Sequence, residues 1–337
     1  MKHDKILMAH GGGGQLTDSL IHDHILSRLS NEALSLLGDS ALLSMGREKI
    51  CFSTDSFVVK PLFFNGGDIG TLAVCGTVND LAVAGAKPMA LSLSLILEEG
   101  LEIALLDRVL DSIAVAAKAC GVSVVTGDTK TVEKGAADKL FVNTAGIGLY
   151  PAGLSLGLDQ IKVGDKILVN GTIGDHGMTI MSEREDIKFE SPLASDCASL
   201  NGLIAQLLES CPGIRFMRDP TRGGLAATLN EVVRSTGLSV GIHENALPVT
   251  PTVQAAADML GFDVLNIANE GKVVIVVDPD EAEACLKSCQ DHDLGRRAGI
   301  IGEVVATDHT SVVELITQIG GKRIVQMPYG RELPRIC

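Results

Sequence analysis

With 337 residues and a formal net charge of −14, the chain lacks the basic face that a nucleic-acid partner requires. Hydrophobic residues make up 46% while aromatics make up 3% and Trp is absent, so the core is expected to be α/β layers closely packed through Ala, Val, Leu and Ile. No uninterrupted apolar run is long enough to cross a membrane, and the opening "MKHDKILMAHGGGG" lacks the apolar centre of a secretory signal. A soluble, cytoplasmic protein with no membrane partner is expected.

In chain order, the Gly run is followed by a helical pattern through Leu20, Ile21, Ile25 and Leu29. "KICFSTDSFVV" reads as a strand with an acid in its middle, and "TLAVCGTVNDLAVAGA" as a small-residue helix closed by Lys87-Pro88. "MALSLSLIL" alternates as a strand does; Ile103 to Ala119 has amphipathic period and stops at Gly121; "VSVVTGDT" and "LFVNTAGIGLY" are further strands. The pattern restarts near Pro151 with the strand "DKILVNG", the Gly-rich turn "GTIGDHG" and a helix, which predicts two α/β halves divided near residue 155. "FDVLNIANEGKVVIVVDP" predicts two strands about a turn, and "SVVELITQIGGKRIVQM" a hairpin pivoting on Gly320-Gly321. Beyond Pro328, "YGRELPRIC" has no period and is expected to be a flexible tail.

The cysteines at 51, 75, 120, 197, 211, 285, 289 and 337 form no paired CxxC, which argues against a disulfide framework or a structural zinc site. Most read as small core hydrophobes; Cys337, the last residue of the sequence, is the exception and is not a prenylation box. The acids carry a different signal. Asp55 interrupts a strand, Asp68 lies among glycines in "GGDIG", Asp80 breaks an apolar helix, Asp128 ends a strand in "TGDT", and Asp219 opens "DPTRGG". Any one could be a turn or cap residue. Together they suit Mg²⁺, which takes carboxylates plus nucleotide phosphates, with neighbouring glycines offering N–H groups to phosphate oxygens. Neither GxxxxGK[ST] nor a GxGxxG after a strand is present, so a P-loop and a Rossmann site are excluded. "HGGGG" reads equally as a flexible leader or as a mobile lid over a polyphosphate. His10 and His176 read as polar loop residues, and His22 and His24 as exposed helix positions.

Taken in order, "STDSFVV", "GDIG", "NDLAVAGAKP", "VTGDT", "NGTIGDHG", "DPTRGG" and "ANEG" resemble the aminoimidazole ribonucleotide synthetase-like superfamily of ATP-dependent enzymes. Within it, "GTIGDHG", "DPTRGG" and the terminal "PRIC" resemble the hydrogenase expression/formation protein E family, carbamoyl dehydratases of nickel-iron hydrogenase maturation. The resemblance implies a two-domain fold: residues 1–155 bind ATP and Mg²⁺ and dimerise, 156–327 form a second α/β domain, and 328–337 form a tail. It implies a homodimer whose N-terminal halves share a β-barrel, a carbamoyltransferase partner, and an iron-carrying maturation complex that receives cyanide. By matching motifs, Asp55, Asp80 and Asp219 would bind Mg²⁺, with Asp128 a further ligand to metal or nucleotide. Lys60, Asp68 and Gly11, Gly12, Gly13 and Gly14 would contact the nucleotide. Cys337 would carry the carbamoyl group, Glu270 would be the base near it, and Arg335 is expected to favour the thiolate. A superfamily kinase or selenophosphate synthetase is the alternative, although such a synthetase would carry a reactive Cys near the N-terminus and the first here is Cys51. A third reading makes the chain a scaffold whose tail docks partners.

Overall fold

The computed structural model describes residues 5–187, 189, 193–307, 310–330 and 335–337. The N-terminal stretch opens as α1 (Gln15–Leu20), passes through a π-helical turn (Ile21–Leu26) and closes as α2 (Ser27–Leu29). Leu16 is its buried anchor, while Ile25 and Leu29 are exposed.

The first half builds a sheet from β1 (Ala41–Met45), β2 (Glu48–Phe57), β5 (Lys87–Glu98), β6 (Ser123–Val132) and β7 (Leu140–Tyr150), ordered β1-β2-β7-β5-β6. A two-residue pairing of β3 (Phe63–Phe64) with β4 (Gly67–Asp68) leads into α3 (Ile69–Val83), and α4 (Ile103–Cys120) joins β5 to β6. That crossover makes β5 and β6 parallel, whereas the other pairs are antiparallel. Alternation puts Cys51, Ser53 and Phe57 of β2 under α3 and leaves Phe52 on the opposite face. Helix α3 is apolar around its circumference and is buried around it too, as such helices must be. The sheet covers one side of it. On the other, Asn79 Nδ2 donates to the carbonyls of Ala198 (3.0 Å) and Glu270 (3.3 Å), so the second half is anchored on the same helix.

The second half contains β8 (Lys166–Val169), α5 (Asp175–Arg184), α6 (Asn201–Ser210), β9 (Ile214–Arg218), α7 (Gly224–Thr236), β10 (Ser239–His243) and α8 (Pro251–Leu260). It continues through β11 (Val274–Val277), α9 (Ala282–Gln290), β12 (Gly299–Val305), β13 (Val313–Ile316) and β14 (Lys322–Val325). Its sheet runs β14-β13-β10-β12-β8-β11-β9, with β10 and β13 parallel. Strand β11, "VIVV", is buried at every position, because helices cover both faces of the sheet. The fold is therefore mixed α/β, as expected, but among the described residues the first sheet is open and no closed barrel forms within one chain.

The expected hairpin about Gly320-Gly321 is present as β13 and β14, with Gly320 at φ +82°. The expected pair of strands in 262–279 is not. Only β11 forms, because the Asp263 side chain accepts from Leu265 N–H at 3.0 Å and caps a 3₁₀ turn (Val264–Asn266) in place of a strand. No described helix is long and apolar enough to cross a membrane.

Candidate active site

The acids meet where the two halves touch. Asp39 precedes β1, Asp55 lies near the end of β2, Asp80 sits in the last turn of α3, and Asp219 follows β9 directly. Carboxylate oxygens of Asp39, Asp80 and Asp219 all lie within 4.8 Å of one another. Ser53 Oγ donates to Asp80 at 2.6 Å and reaches the Asp39 carbonyl at 2.9 Å, which fixes the geometry from β2. Burial raises the pKa of each of these carboxyls; the charges of neighbouring acids add to it at Asp80 and Asp219, the latter pushed up to about 8, while Arg218 opposes it at Asp39. The compensating cation is Arg218, 2.9 Å from Asp39 and 2.9 Å from Glu231. Asp55 stands beside the cluster, and burial raises its pKa as well. Such a set of converging oxygen ligands, short of positive charge, fits a divalent cation.

The motifs "GDHG", "DPTRGG" and "ANEG" are knit by one side chain. Asn269 Oδ1 accepts from Gly174 N–H at 2.8 Å, while its Nδ2 donates to the Pro220 carbonyl at 2.8 Å. Asp196, paired with Lys272 at 2.8 Å, accepts from the backbone N–H groups of Glu270 and Gly271. Gly271 is required there: a Cβ would stand 1.9 Å from the Asp196 carbonyl oxygen. The loop so fixed buries Glu270 at 4% exposure with Oε1 lacking any hydrogen-bond partner among the described residues. Burial, and then the charges of Asp55, Asp219 and Asp196, raise its pKa well above the ordinary range.

The tail ends at this point. Of the tail expected to be flexible, residues 331–334 lie outside the described residues, and the rest is docked. Val58 N–H donates to the Cys337 carbonyl at 2.9 Å and Lys60 N–H to the Arg335 carbonyl at 3.3 Å, an antiparallel pairing, while Ile336 is buried at 1% exposure. Upstream, Gln15 N–H donates to the Pro328 carbonyl at 2.9 Å. Backbone pairing and an apolar plug hold the end in a way that its aperiodic sequence did not signal. Cys337 is part-buried, and its thiol pKa is raised by burial and by Glu270, an effect opposed by Arg222. Arg335, expected to favour the thiolate, instead donates to Asp138 at 2.6 Å and to the Val58 carbonyl at 2.9 Å. The cation facing the thiol is Arg222.

The remaining expected residues sit as follows. Lys60 is exposed and pairs with Asp138 at 3.0 Å. Asp68 caps α3, accepting from Gly70 N–H at 2.7 Å and Thr71 N–H at 3.0 Å, and takes the Ser112 hydroxyl at 2.6 Å. Gly12, Gly13 and Gly14 pack against the backbone of Gly330, Arg222 and Pro328, and a Cβ on Gly14 would lie 2.0 Å from the Pro328 oxygen; Gly11 faces open space. Asp128 is on the exposed strand β6, paired with Lys130 at 2.7 Å, away from the cluster of Asp39, Asp80 and Asp219. Sequence reading missed Asp39, Arg218 and Arg222. "GDSALL", an acid after glycine and before an apolar run, was the signal available for Asp39. A cavity of about 880 Å³ opens beside Asp39 and Arg218, walled by Leu36, Tyr150, Leu156 and Phe216.

Comparison with known proteins matches the AIR synthase related protein family, the N-terminal domain over residues 37–150 and the C-terminal domain over 162–314. Carbamoyl dehydratase HypE of Bradyrhizobium diazoefficiens is 48% identical over 98% of this chain and 95% of its own length. The chain belongs to the HypE family. A solved HypE–HypF complex contains a chain 46% identical, with TM-score 0.87 over 92% of this chain and 100% of that one. A HypE solved in complex with ATP is 42% identical, with TM-score 0.83 over 99% of this chain and 100% of that one. Carbamoyl dehydratase HypE of Azotobacter vinelandii, 47% identical, matches over 100% of this chain, both sheets and the docked terminus included.

Proposed function

We propose that this chain is an ATP-dependent carbamoyl dehydratase that converts a carbamoyl group on its own Cys337 to a thiocyanate, supplying cyanide for nickel-iron hydrogenase maturation. The observation that carries this reading is the seating of Cys337 beside Glu270 and next to the acid cluster, in a chain of the HypE family. A carboxamide does not lose oxide. Phosphorylation of its oxygen, with ATP as substrate, turns the leaving group into phosphate, and the N–H protons must go to a base as the C≡N bond forms. Glu270, buried and with no partner for Oε1 among the described residues, would take a proton. Asp39, Asp80 and Asp219, with Asp55, would hold Mg²⁺, which when bound neutralises phosphate charge. The cavity beside Asp39 supports nucleotide binding, with its apolar walls suited to a base and its acidic end to metal-bound phosphates.

The reading includes the cytoplasmic setting, the division near residue 155 and the iron-carrying recipient. The HypE–HypF complex of a relative supports a carbamoyltransferase partner. When carbamoylated protein is given Mg-ATP, mass spectrometry of the C-terminal peptide should find that it loses one water. Retention of that water while ATP is hydrolysed would reject the reading, as would dehydration by a Cys337→Ala variant.

A homodimer also belongs to this reading. Phe52, Ile96, Val125 and Ile147 are exposed on the first sheet, and every position of β6 except Val132 is exposed along an open edge. A protein in water rarely keeps such an apolar face or a long free edge uncovered. A shared barrel would cover both, and Asp128 would meet an acid cluster only across that pairing. Light scattering should give twice the chain mass, and Val125→Glu should give the monomer; monomeric wild-type protein would reject the assignment.

A further inference from the structure

His176 is fully buried, packs edge-on against Phe64 with ring centroids 5.6 Å apart, and spends both ring nitrogens. Nε2 lies 2.8 Å from the Ile336 carbonyl oxygen, and Nδ1 lies 2.8 Å from Ser195 Oγ. A carbonyl oxygen only accepts, so Nε2 carries the proton. Nδ1 of the neutral ring then accepts from the Ser195 hydroxyl, whose oxygen also receives the Cys197 N–H at 3.1 Å. Burial lowers the His176 pKa and keeps that ring neutral. The bond is made to the peptide one residue before the reactive thiol. From the same helix Arg184 Nη2 donates to the Arg335 carbonyl, while residues 58, 60 and 138 hold the terminus from the first half; His176 is the hydrogen-bonding contact nearest the thiol along the chain on the second-half side.

We infer that His176 is a positioning residue: its Nε2–H, oriented by Ser195, seats the Ile336 carbonyl and so sets Cys337 in the site. This inference rests on the reading of Cys337 as the carbamoyl carrier. The dehydration step itself is unchanged; His176 transfers no proton and touches no reacting atom. Its effect is on the fraction of time the tail spends seated, which one buried hydrogen bond governs by about tenfold.

The test uses the 337-residue chain without ATP or carbamoyl group, and reads alkylation of Cys337 by iodoacetamide through peptide mass spectrometry, with Cys337 alkylation in the urea-unfolded protein as the reference. His176→Leu, which fills the ring's space but has no donor, should raise Cys337 alkylation about tenfold. His176→Gln, whose amide N–H can replace Nε2–H, should restore protection. Ser195→Ala provides a milder variant should the leucine protein fail to fold. It removes the hydrogen bond that holds the ring's orientation toward the Ile336 carbonyl, and is expected to raise alkylation in the same direction by less. Single-turnover water loss from carbamoylated protein should fall in the leucine variant and recover in the glutamine variant. Equal alkylation in wild type and in a folded leucine or Ser195→Ala variant would overturn the inference, as would a glutamine variant no better than leucine. If wild-type protein never loses water, the dehydratase reading fails while the alkylation result still decides the role of His176.

Discussion

Asp80→Asn is expected to abolish ATP turnover and to leave the fold intact. The side chain is nearly isosteric, and an asparagine Oδ1 can still accept the Ser53 hydroxyl that Asp80 accepts at 2.6 Å. What disappears is one negative charge and one metal-competent oxygen from a set whose members lie within 4.8 Å of each other. Because burial and the charges of Asp219, Asp39 and Asp55 already raise the Asp80 pKa, deleting its charge relieves repulsion in the cation-free protein. Thermal stability without Mg²⁺ should therefore be unchanged or higher, and the stabilisation gained on adding Mg²⁺ should shrink. Turnover followed by phosphate release should fall by a factor on the order of 10² or more, since metal stabilisation of phosphoryl charge is worth several kcal/mol. Unchanged turnover in a folded variant would remove Asp80 from the metal site.

Glu270→Gln is expected to leave the carbamoyl group on Cys337. Glutamine keeps the volume but cannot take a proton, and loss of a general base costs about 10²–10⁴-fold in rate. The pH profile adds a second readout. A base works only when ionised, and the Glu270 pKa is raised by burial and then by Asp55, Asp219 and Asp196. The wild-type rate should therefore climb as pH rises through that elevated value, and the residual rate of the variant should not. Stability moves the other way. A carboxyl whose folded pKa exceeds its unfolded value favours the fold at low pH and loses that contribution as pH rises through the interval between the two. The glutamine variant should thus gain stability over wild type as pH rises above the ordinary glutamate range. Single-turnover mass spectrometry gives the first readout and urea melts the second. Full dehydration by the variant would move the base elsewhere.

Local chemistry made much of the scaffold legible. The β13–β14 hairpin follows from glycines at 320 and 321, of which Gly320 takes φ +82°. Helix α4 follows from its period and from Gly121, which ends it in the left-handed region at φ +70°. The motif order alone implied the family to which the chain belongs, because glycine and acid spacings are short-range constraints on a backbone.

What the sequence could not determine was which long-range partner each polar group would find. Asp68 reads like the other motif acids, yet its oxygens are taken by two backbone N–H groups and Ser112, whereas Asp39 carried a weaker signal and stands in the cluster. Arg335 is two residues from the thiol in sequence, but Asp138 holds it, and Arg222 faces the thiol from another loop. The tail reads as loose because its few residues have no period; it docks because Ile336 finds an apolar pocket and residues 58 and 60 offer free N–H groups. Periodicity and turn chemistry act over a few residues and can be read from one chain. Pairing of buried charges and satisfaction of backbone donors are decided only when distant segments compete for the same space.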